Sequence, residues 1–188
     1  KVRRRRDISV ALLLDMSGST AGGIMDCEKN AVVVLSEALG RLGDSFAVYG
    51  FESEGRENCR FHVVKDFGRS MDPEAKARVG NITAGGGTLT GGAIRHASEK
   101  LKKRPERVKL IILLSDGEPN DTTACPIEDT RMALREAARS GIKTFCITVD
   151  PKAADYLPKM YRHSSWTVIN DVSKLPEKIS GIYRRLTS

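Results

Sequence analysis

Continuous apolar runs alternate along the chain with segments of helical periodicity. The run Ile8 to Leu14 is apolar at almost every position, which is typical of a strand buried on both faces of a sheet. Val108 to Leu114 has the same character and predicts a second such strand, Lys109 to Ser115. Four shorter strands are predicted at Phe46 to Phe51, Phe61 to Val64, Thr144 to Val149 and Trp166 to Ile169.

The predicted helices lie between these strands. Apolar residues recur at helical spacing from Met25 to Leu42. Asp72 followed by Pro73 predicts the start of a short helix that runs to about Val79, because proline is favoured at the first helical position. The remaining predicted helices are Gly91 to Lys103, Ile127 to Ser140, Ala153 to Tyr161 and Val172 to Leu186.

This alternation predicts an α/β fold with a doubly wound, mostly parallel, six-stranded sheet and helices on both faces. Ile8 to Leu14 and Lys109 to Leu114 are predicted to be adjacent central strands. Phe46 to Phe51 and Phe61 to Val64 are predicted to form a hairpin around the polar loop Glu52 to Cys59. Phe61 to Val64 would then be an antiparallel edge strand.

Composition restricts the classes of function. The chain has 188 residues and a net charge of +7, of which Lys1 and Arg3 to Arg6 carry five charges. We interpret residues 1–6 as a basic linker from a longer protein and residues 7–188 as one domain, which is close to neutral. A near-neutral domain with 5% aromatic residues does not indicate nucleic-acid binding. No segment has the roughly 20 apolar residues of a membrane span.

Cysteine and histidine positions do not indicate a metal site of the zinc type. The four cysteines lie far apart without a C-x-x-C pair, so buried free thiols in a reducing compartment are favoured over disulfides or zinc. We therefore expect a cytoplasmic protein. The three histidines are scattered, and each is interpreted as structural or exposed.

Oxygen-bearing side chains follow the predicted central strands. They are Asp15 and Asp116, which follow the two apolar runs, and the hydroxyls of Ser17, Ser19 and Thr88, the last placed after a run of three glycines. In an open α/β sheet the carboxyl ends of the strands converge on one crevice, where ligands bind. Carboxylates with hydroxyls suit a hard cation, Mg²⁺ first, with Mn²⁺ or Ca²⁺ as alternatives.

The spacing of the first three residues supports this interpretation. In an extended segment alternate side chains point to the same side, so Asp15, Ser17 and Ser19 can face one point. Neutral hydroxyls leave most of the charge of the ion uncompensated, and Mg²⁺ is seldom enclosed by protein ligands alone. Such a site would have an open position that attracts an Asp or Glu of a partner protein.

These five positions resemble the metal-ion-dependent adhesion site of von Willebrand factor A domains. The resemblance covers about Asp7 to Thr187. A closer resemblance, to the C-terminal domain of the NorD and CbbO family, rests on the segments Tyr49 to Arg56, Ser115 to Asp121, Glu128 to Arg131 and Tyr183 to Thr187. It implies a non-enzymatic adaptor for a MoxR-type AAA+ ATPase in activation of nitric-oxide reductase or rubisco. The sequence names neither the client nor the partner that the metal site docks.

Other interpretations of the same residues remain. The Asp, Ser and Thr residues could cap loops and helix N-termini. The metal site could be closed by another segment of the same polypeptide, which would make it structural. A metal-dependent hydrolase is a weaker alternative, with Glu118 as the one general acid or base beside the site. Gly86, Gly87 and Glu118 are predicted partner contacts at the rim.

Overall fold

A computed structural model describes residues 7–55, 58–116, 125–161 and 166–175, and residues 178, 181, 183 and 184. The strands are β1 (Ile8–Asp15), β2 (Ser45–Glu54), β3 (Asn58–Lys65), β4 (Val108–Ser115), β5 (Ile142–Thr148) and β6 (Trp166–Val168). The helices are α1 (Gly23–Leu42), α2 (Pro73–Gly80), α3 (Thr90–Lys102), α4 (Pro126–Arg139) and α5 (Ala153–Met160). Short 3₁₀ turns cover Gly18–Thr20 and Val172–Lys174.

The six strands form one sheet in the order β3-β2-β1-β4-β5-β6. All neighbours are parallel except β2 and β3, which form an antiparallel hairpin at one edge. The prediction of a doubly wound sheet with β1 and β4 at its centre is therefore confirmed, as is the antiparallel edge strand. Parallel central strands place their carboxyl ends at the same edge of the sheet, which brings the segments after β1 and β4 together.

Burial on both faces explains why β1 is continuously apolar. Every residue of β1 is buried. Val10, Leu12 and Leu14 face a core shared with α1, whereas Ala11 and Leu13 face a second core shared with α3, α4 and α5. At roughly 25 cal/mol per Å² of apolar surface, these two cores supply the main stabilisation of the sheet.

The hairpin is longer than predicted. Of the segment from Glu52 to Cys59, which was predicted as a loop, residues 52–54 belong to β2 and residues 58–59 belong to β3. Glu52 stands opposite Arg60, and a cross-strand pair of opposite charge stabilises an antiparallel ladder. The polar composition that suggested a loop is that of an edge ribbon with one solvated face.

Three further predictions have mixed outcomes. Asp72 caps α2, because its side chain accepts a hydrogen bond from the backbone N–H of Ala75 (2.8 Å).

All four cysteines are free thiols, but only Cys146 is buried: Cys27 and Cys59 are half-buried and Cys125 is exposed. The prediction of buried thiols was wrong for these three, because two lie at partly covered positions and Cys125 lies just before α4. Residues 1–6 and most of the predicted helix after Lys174 lie outside the described residues.

Among the helices in the described ranges, none is long and apolar enough to cross a membrane.

Helices α3 and α4 pack against each other around Gly91. The guanidinium of Arg95 binds Asp129 (Nη1 to Oδ1, 2.9 Å) and Glu136 (Nε to Oε2, 2.8 Å). A Cβ at Gly91 would lie 2.1 Å from Oδ2 of Asp129, so only glycine permits this approach. This contact fixes the start of α3, which directly follows the segment that carries Thr88.

Replacing Gly91 by alanine is therefore expected to lower the free energy of unfolding by about 1–3 kcal/mol, because Asp129 must move away from Arg95. Gly92→Ala is the matched control. Its Cβ would meet Cys59 at 3.6 Å, an ordinary contact, and alanine in a helix is favoured over glycine by about 0.5–1 kcal/mol. Urea unfolding of both variants measures the difference, and equal stabilities would contradict the packing role of Gly91.

Candidate metal centre

The segment after β1 folds back so that its polar side chains converge. The backbone N–H of Ser17 donates a hydrogen bond to Oδ1 of Asp15 (2.9 Å), and the hydroxyls of Ser17 and Ser19 share a hydrogen bond of 3.0 Å. The hydroxyl of Thr20 donates to the carbonyl of Ser17 (2.7 Å), which closes the 3₁₀ turn. Asp15, Ser17 and Ser19 are therefore held in one cluster, but by a 3₁₀ turn that folds back and not by the extended segment on which their alternate spacing was argued.

The segment after β4 adds a second carboxylate. Ser115, the last residue of β4, donates its hydroxyl to Oδ2 of Asp15 (3.0 Å). Asp116 follows it and is half-buried. Asp15 is 1% exposed, and this burial raises its pKa to about 6, with the charge of Asp116 acting in the same direction against the hydrogen bonds from Ser17 and Ser115. Two acidic side chains thus lie close together at this edge.

The glycine segment 85–87 is bonded to both neighbouring elements. Gly85 donates its N–H to the carbonyl of Met16 (2.8 Å), and Gly18 donates to the carbonyl of Gly86 (3.0 Å). On the other side, Gly87 and Ser53 exchange two backbone hydrogen bonds of 2.8 Å. The segment therefore bridges the loop after β1 and the end of β2, and Thr88, which directly follows it, is buried.

A divalent cation fits this donor set. Within the described ranges no three His, Cys, Asp or Glu side chains converge closely enough to hold an ion by themselves, so any cation at this edge needs the hydroxyls. The two carboxylates, Asp15 and Asp116, would neutralise a divalent ion, and Ser17, Ser19 and Thr88 are neutral oxygen donors that Mg²⁺ accepts. Among the described residues, no basic side chain lowers the pKa of Asp15, and a bound cation would supply that missing positive charge.

The surroundings of the cluster include residues that the sequence did not indicate. Ser115 was counted only as part of β4, although its hydroxyl binds Asp15. Glu52 lies beside the glycine segment, since a Cβ at Gly85 would be 3.5 Å from its Oε2. Glu28 is buried in α1, and burial followed by the charges of Asp15 and Asp116 raises its pKa to about 9. In the sequence, Glu28 could have been noticed as a charged residue on the apolar face of the predicted helix, seven positions before Leu35.

Two of the three predicted rim residues lie within the described part of the chain. Gly86 is exposed and Gly87 is half-buried, both beside the loop after β1. Glu118 lies outside the described residues. Of the histidines, His62 on β3 and His96 on α3 are exposed, which is one of the two expected states.

The family model of the von Willebrand factor type A domain matches residues 9–177, so this chain belongs to the von Willebrand factor type A domain family. Domains of this family typically mediate protein–protein interactions, which favours an interaction role over a catalytic one.

Two curated relatives cover nearly all of the chain. An uncharacterized protein of Pseudomonas aeruginosa is 40% identical over 193 residues, which is 97% of this chain and 32% of the relative. Protein NorD of Brucella melitensis is 36% identical over 189 residues, which is 96% of this chain and 30% of NorD. The chain thus spans about a third of the length of the curated relatives it matches.

Among solved structures, a von Willebrand factor type A protein from Catenulispora acidiphila superposes with a TM-score of 0.68. The match covers 97% of this chain and 43% of that one at 24% sequence identity, and it supports the fold alone.

Proposed function

We propose that this domain is a metal-dependent protein-interaction module. Its ligand set would hold one divalent cation, Mg²⁺ first and Mn²⁺ or Ca²⁺ as alternatives, through Asp15, Ser17, Ser19, Thr88 and Asp116. When bound, the ion supplies an open coordination position for a further oxygen ligand from outside the domain. The chain's own residues position the ion at the sheet edge and leave that position facing solvent.

The observation that carries this proposal is the cluster after β1. Two hydroxyls lie 3.0 Å apart beside a carboxylate that is 1% exposed and close to a second acid. A cluster that served only to cap backbone groups would not need a buried carboxylate beside another acid, because burying such a group costs free energy unless it is paired. A cation at this point would compensate both carboxylates and give the hydroxyls a common ligand.

The exposure of the cluster supports docking from outside. Asp15 and Ser17 are buried, whereas Gly18, Ser19 and Gly86 are exposed, so the cluster is closed toward the sheet and open toward solvent. An Asp or Glu of a partner could approach on the open side. Gly86, Gly87 and Glu118 remain proposed contacts with that partner.

The similarity to proteins named NorD supports a more specific role. In this proposal the longer protein is an adaptor for a MoxR-type AAA+ ATPase in activation of a metalloenzyme or rubisco, and this domain docks the ATPase or the client. A cytoplasmic location agrees with such a role. The alternative is that the acid which docks on the ion belongs to another segment of the same polypeptide.

Binding of the MoxR-type ATPase from the same organism, measured with Mg²⁺ and with excess chelator, tests the proposal. Loss of the contact between the ion and a carboxylate is expected to cost about 2–5 kcal/mol, which weakens the affinity about 30-fold or more. Thr88→Ala is expected to weaken binding in Mg²⁺ while the circular dichroism spectrum stays unchanged. Asp→Asn at one acidic position of the partner is expected to have the same effect.

Asp26→Ala is a control for charge, because Asp26 is exposed in the first turn of α1, near the cluster but outside it. This variant is expected to bind the ATPase like the wild type. Equal affinities in Mg²⁺ and in chelator, with folded protein in both, would show that another surface carries recognition.

A further inference from the structure

Glu28 occupies a position that an apolar residue would normally fill. It lies on the face of α1 that packs on the sheet, three residues after Met25 and four before Val32, both of which are core residues. Its exposed fraction is only 3%. A glutamate is almost never this buried unless it is paired.

No partner for this carboxyl group exists among the described residues. Neither Oε1 nor Oε2 of Glu28 has a hydrogen-bond partner there. The groups that act on it electrostatically are two further acids, Asp15 and Asp116, and no basic residue offsets them. A buried acid facing two others is unfavourable for the folded domain as it stands, so packing alone gives no reason for a glutamate here.

The position of Glu28 relative to the cluster suggests what its oxygens bind. α1 begins at Gly23, only four residues after Ser19, and it packs against the 3₁₀ turn Gly18–Thr20 of the loop that follows β1. Glu28 does not form a three-acid ligand group with Asp15 and Asp116 at direct coordination distance. Mg²⁺ keeps several of its waters in protein sites, and a carboxylate with two open acceptor oxygens can hydrogen bond to such waters.

We propose that Glu28 is a third acidic residue of the metal centre, which stabilises the bound cation from behind the ligand set through its charge and its hydrogen bonds to water. This inference rests on the proposed metal site and extends it. With Glu28 ionised, three carboxylates face one divalent ion. The centre would then bind its cation before any partner supplies a further acid.

The test is a calorimetric titration of this chain with Mg²⁺ and with Mn²⁺. Glu28→Gln removes the charge and keeps the shape, and it is expected to weaken both affinities about 10- to 100-fold, the range for outer-shell partners of metal ligands. Glu28→Asp keeps the charge and is expected to retain more affinity than Glu28→Gln. Glu37→Gln is the matched control, because Glu37 is an exposed glutamate of the same helix.

Thermal melting separates this role from a purely structural one. In chelator, Glu28→Gln is expected to melt no lower than the wild type, because it removes an unpartnered buried acid. In Mg²⁺ it is expected to show a smaller rise in melting temperature than the wild type. Equal rises in both proteins would overturn the proposal, as would equal loss of affinity in Glu28→Gln and Glu28→Asp.

The Mg²⁺ titrations also separate a failure of this inference from a failure of the proposed metal site. Unchanged Mg²⁺ affinity in Glu28→Gln, together with loss of binding in Asp15→Ala, would refute the role of Glu28 and leave the site standing. Unchanged affinity in both variants would refute the site itself, and with it the role of Glu28.

Discussion

Asp15→Ala is expected to abolish Mg²⁺ binding by this domain. Asp15 is the most deeply buried acid of the cluster, and its two oxygens are oriented by Ser17 and Ser115. Loss of an outer-shell partner weakens metal binding by up to about 100-fold, so loss of a direct carboxylate ligand should weaken it by at least that factor. Calorimetry with Mg²⁺ measures the change, and unchanged affinity would refute the assignment of this site.

The same variant is expected to remain folded. Two hydrogen bonds are lost, but burial raises the pKa of Asp15 to about 6, so the ionised carboxylate is less favourable in the fold than in the unfolded chain, and its removal relieves that cost. Because these effects oppose each other, the free energy of unfolding in chelator should change by less than about 2 kcal/mol. Asp26→Ala serves as the control for both measurements, and a larger loss of stability would assign Asp15 a structural role.

Gly86→Ala is expected to disrupt the centre without touching a ligand. Gly86 has a φ of 68°, and a Cβ there would lie 2.6 Å from the carbonyl oxygen of Ser53, which is backbone and cannot rotate away. Strain of this kind costs about 1–3 kcal/mol before the clash is added. The bridge between Gly18 and the end of β2 should therefore shift, and Thr88 with it. We expect an unfolding free energy lower by at least about 2 kcal/mol and a Mg²⁺ affinity about tenfold weaker or more.

Gly85→Ala is the matched control, one residue earlier in the same segment. Its Cβ would meet Oε2 of Glu52 at 3.5 Å, an ordinary contact. Stability should therefore stay within about 0.5 kcal/mol of the wild type. Similar losses in the two alanine variants, measured by urea unfolding and Mg²⁺ titration, would contradict the specific requirement for glycine at position 86.

The fold could be predicted because its determinants are local. The continuous apolar runs of β1 and β4 predict strands covered on both faces, and the helical periodicity between strands predicts parallel connections. The length of the hairpin could not be predicted in this way. Residues 52–54 and 58–60 are mostly polar in composition, and they extend the two strands because they pair with each other across the hairpin, while Ser53 also pairs with Gly87.

The sequence by itself determined the central strands and indicated the five candidate metal ligands, because apolar runs mark buried strands and the carboxyl ends of parallel strands converge at one edge of the sheet. The contacts of Ser115, the bridge made by Gly86 and the burial of Glu28 were decided only by the tertiary structure. Each depends on atoms far apart in the chain: Ser115 binds Asp15 on the neighbouring strand, Gly86 lies against Ser53, and Glu28 is buried in α1, where the charge of Asp116 acts on it. Long-range packing of this kind leaves no periodic pattern in the sequence, apart from one charge on an apolar helix face.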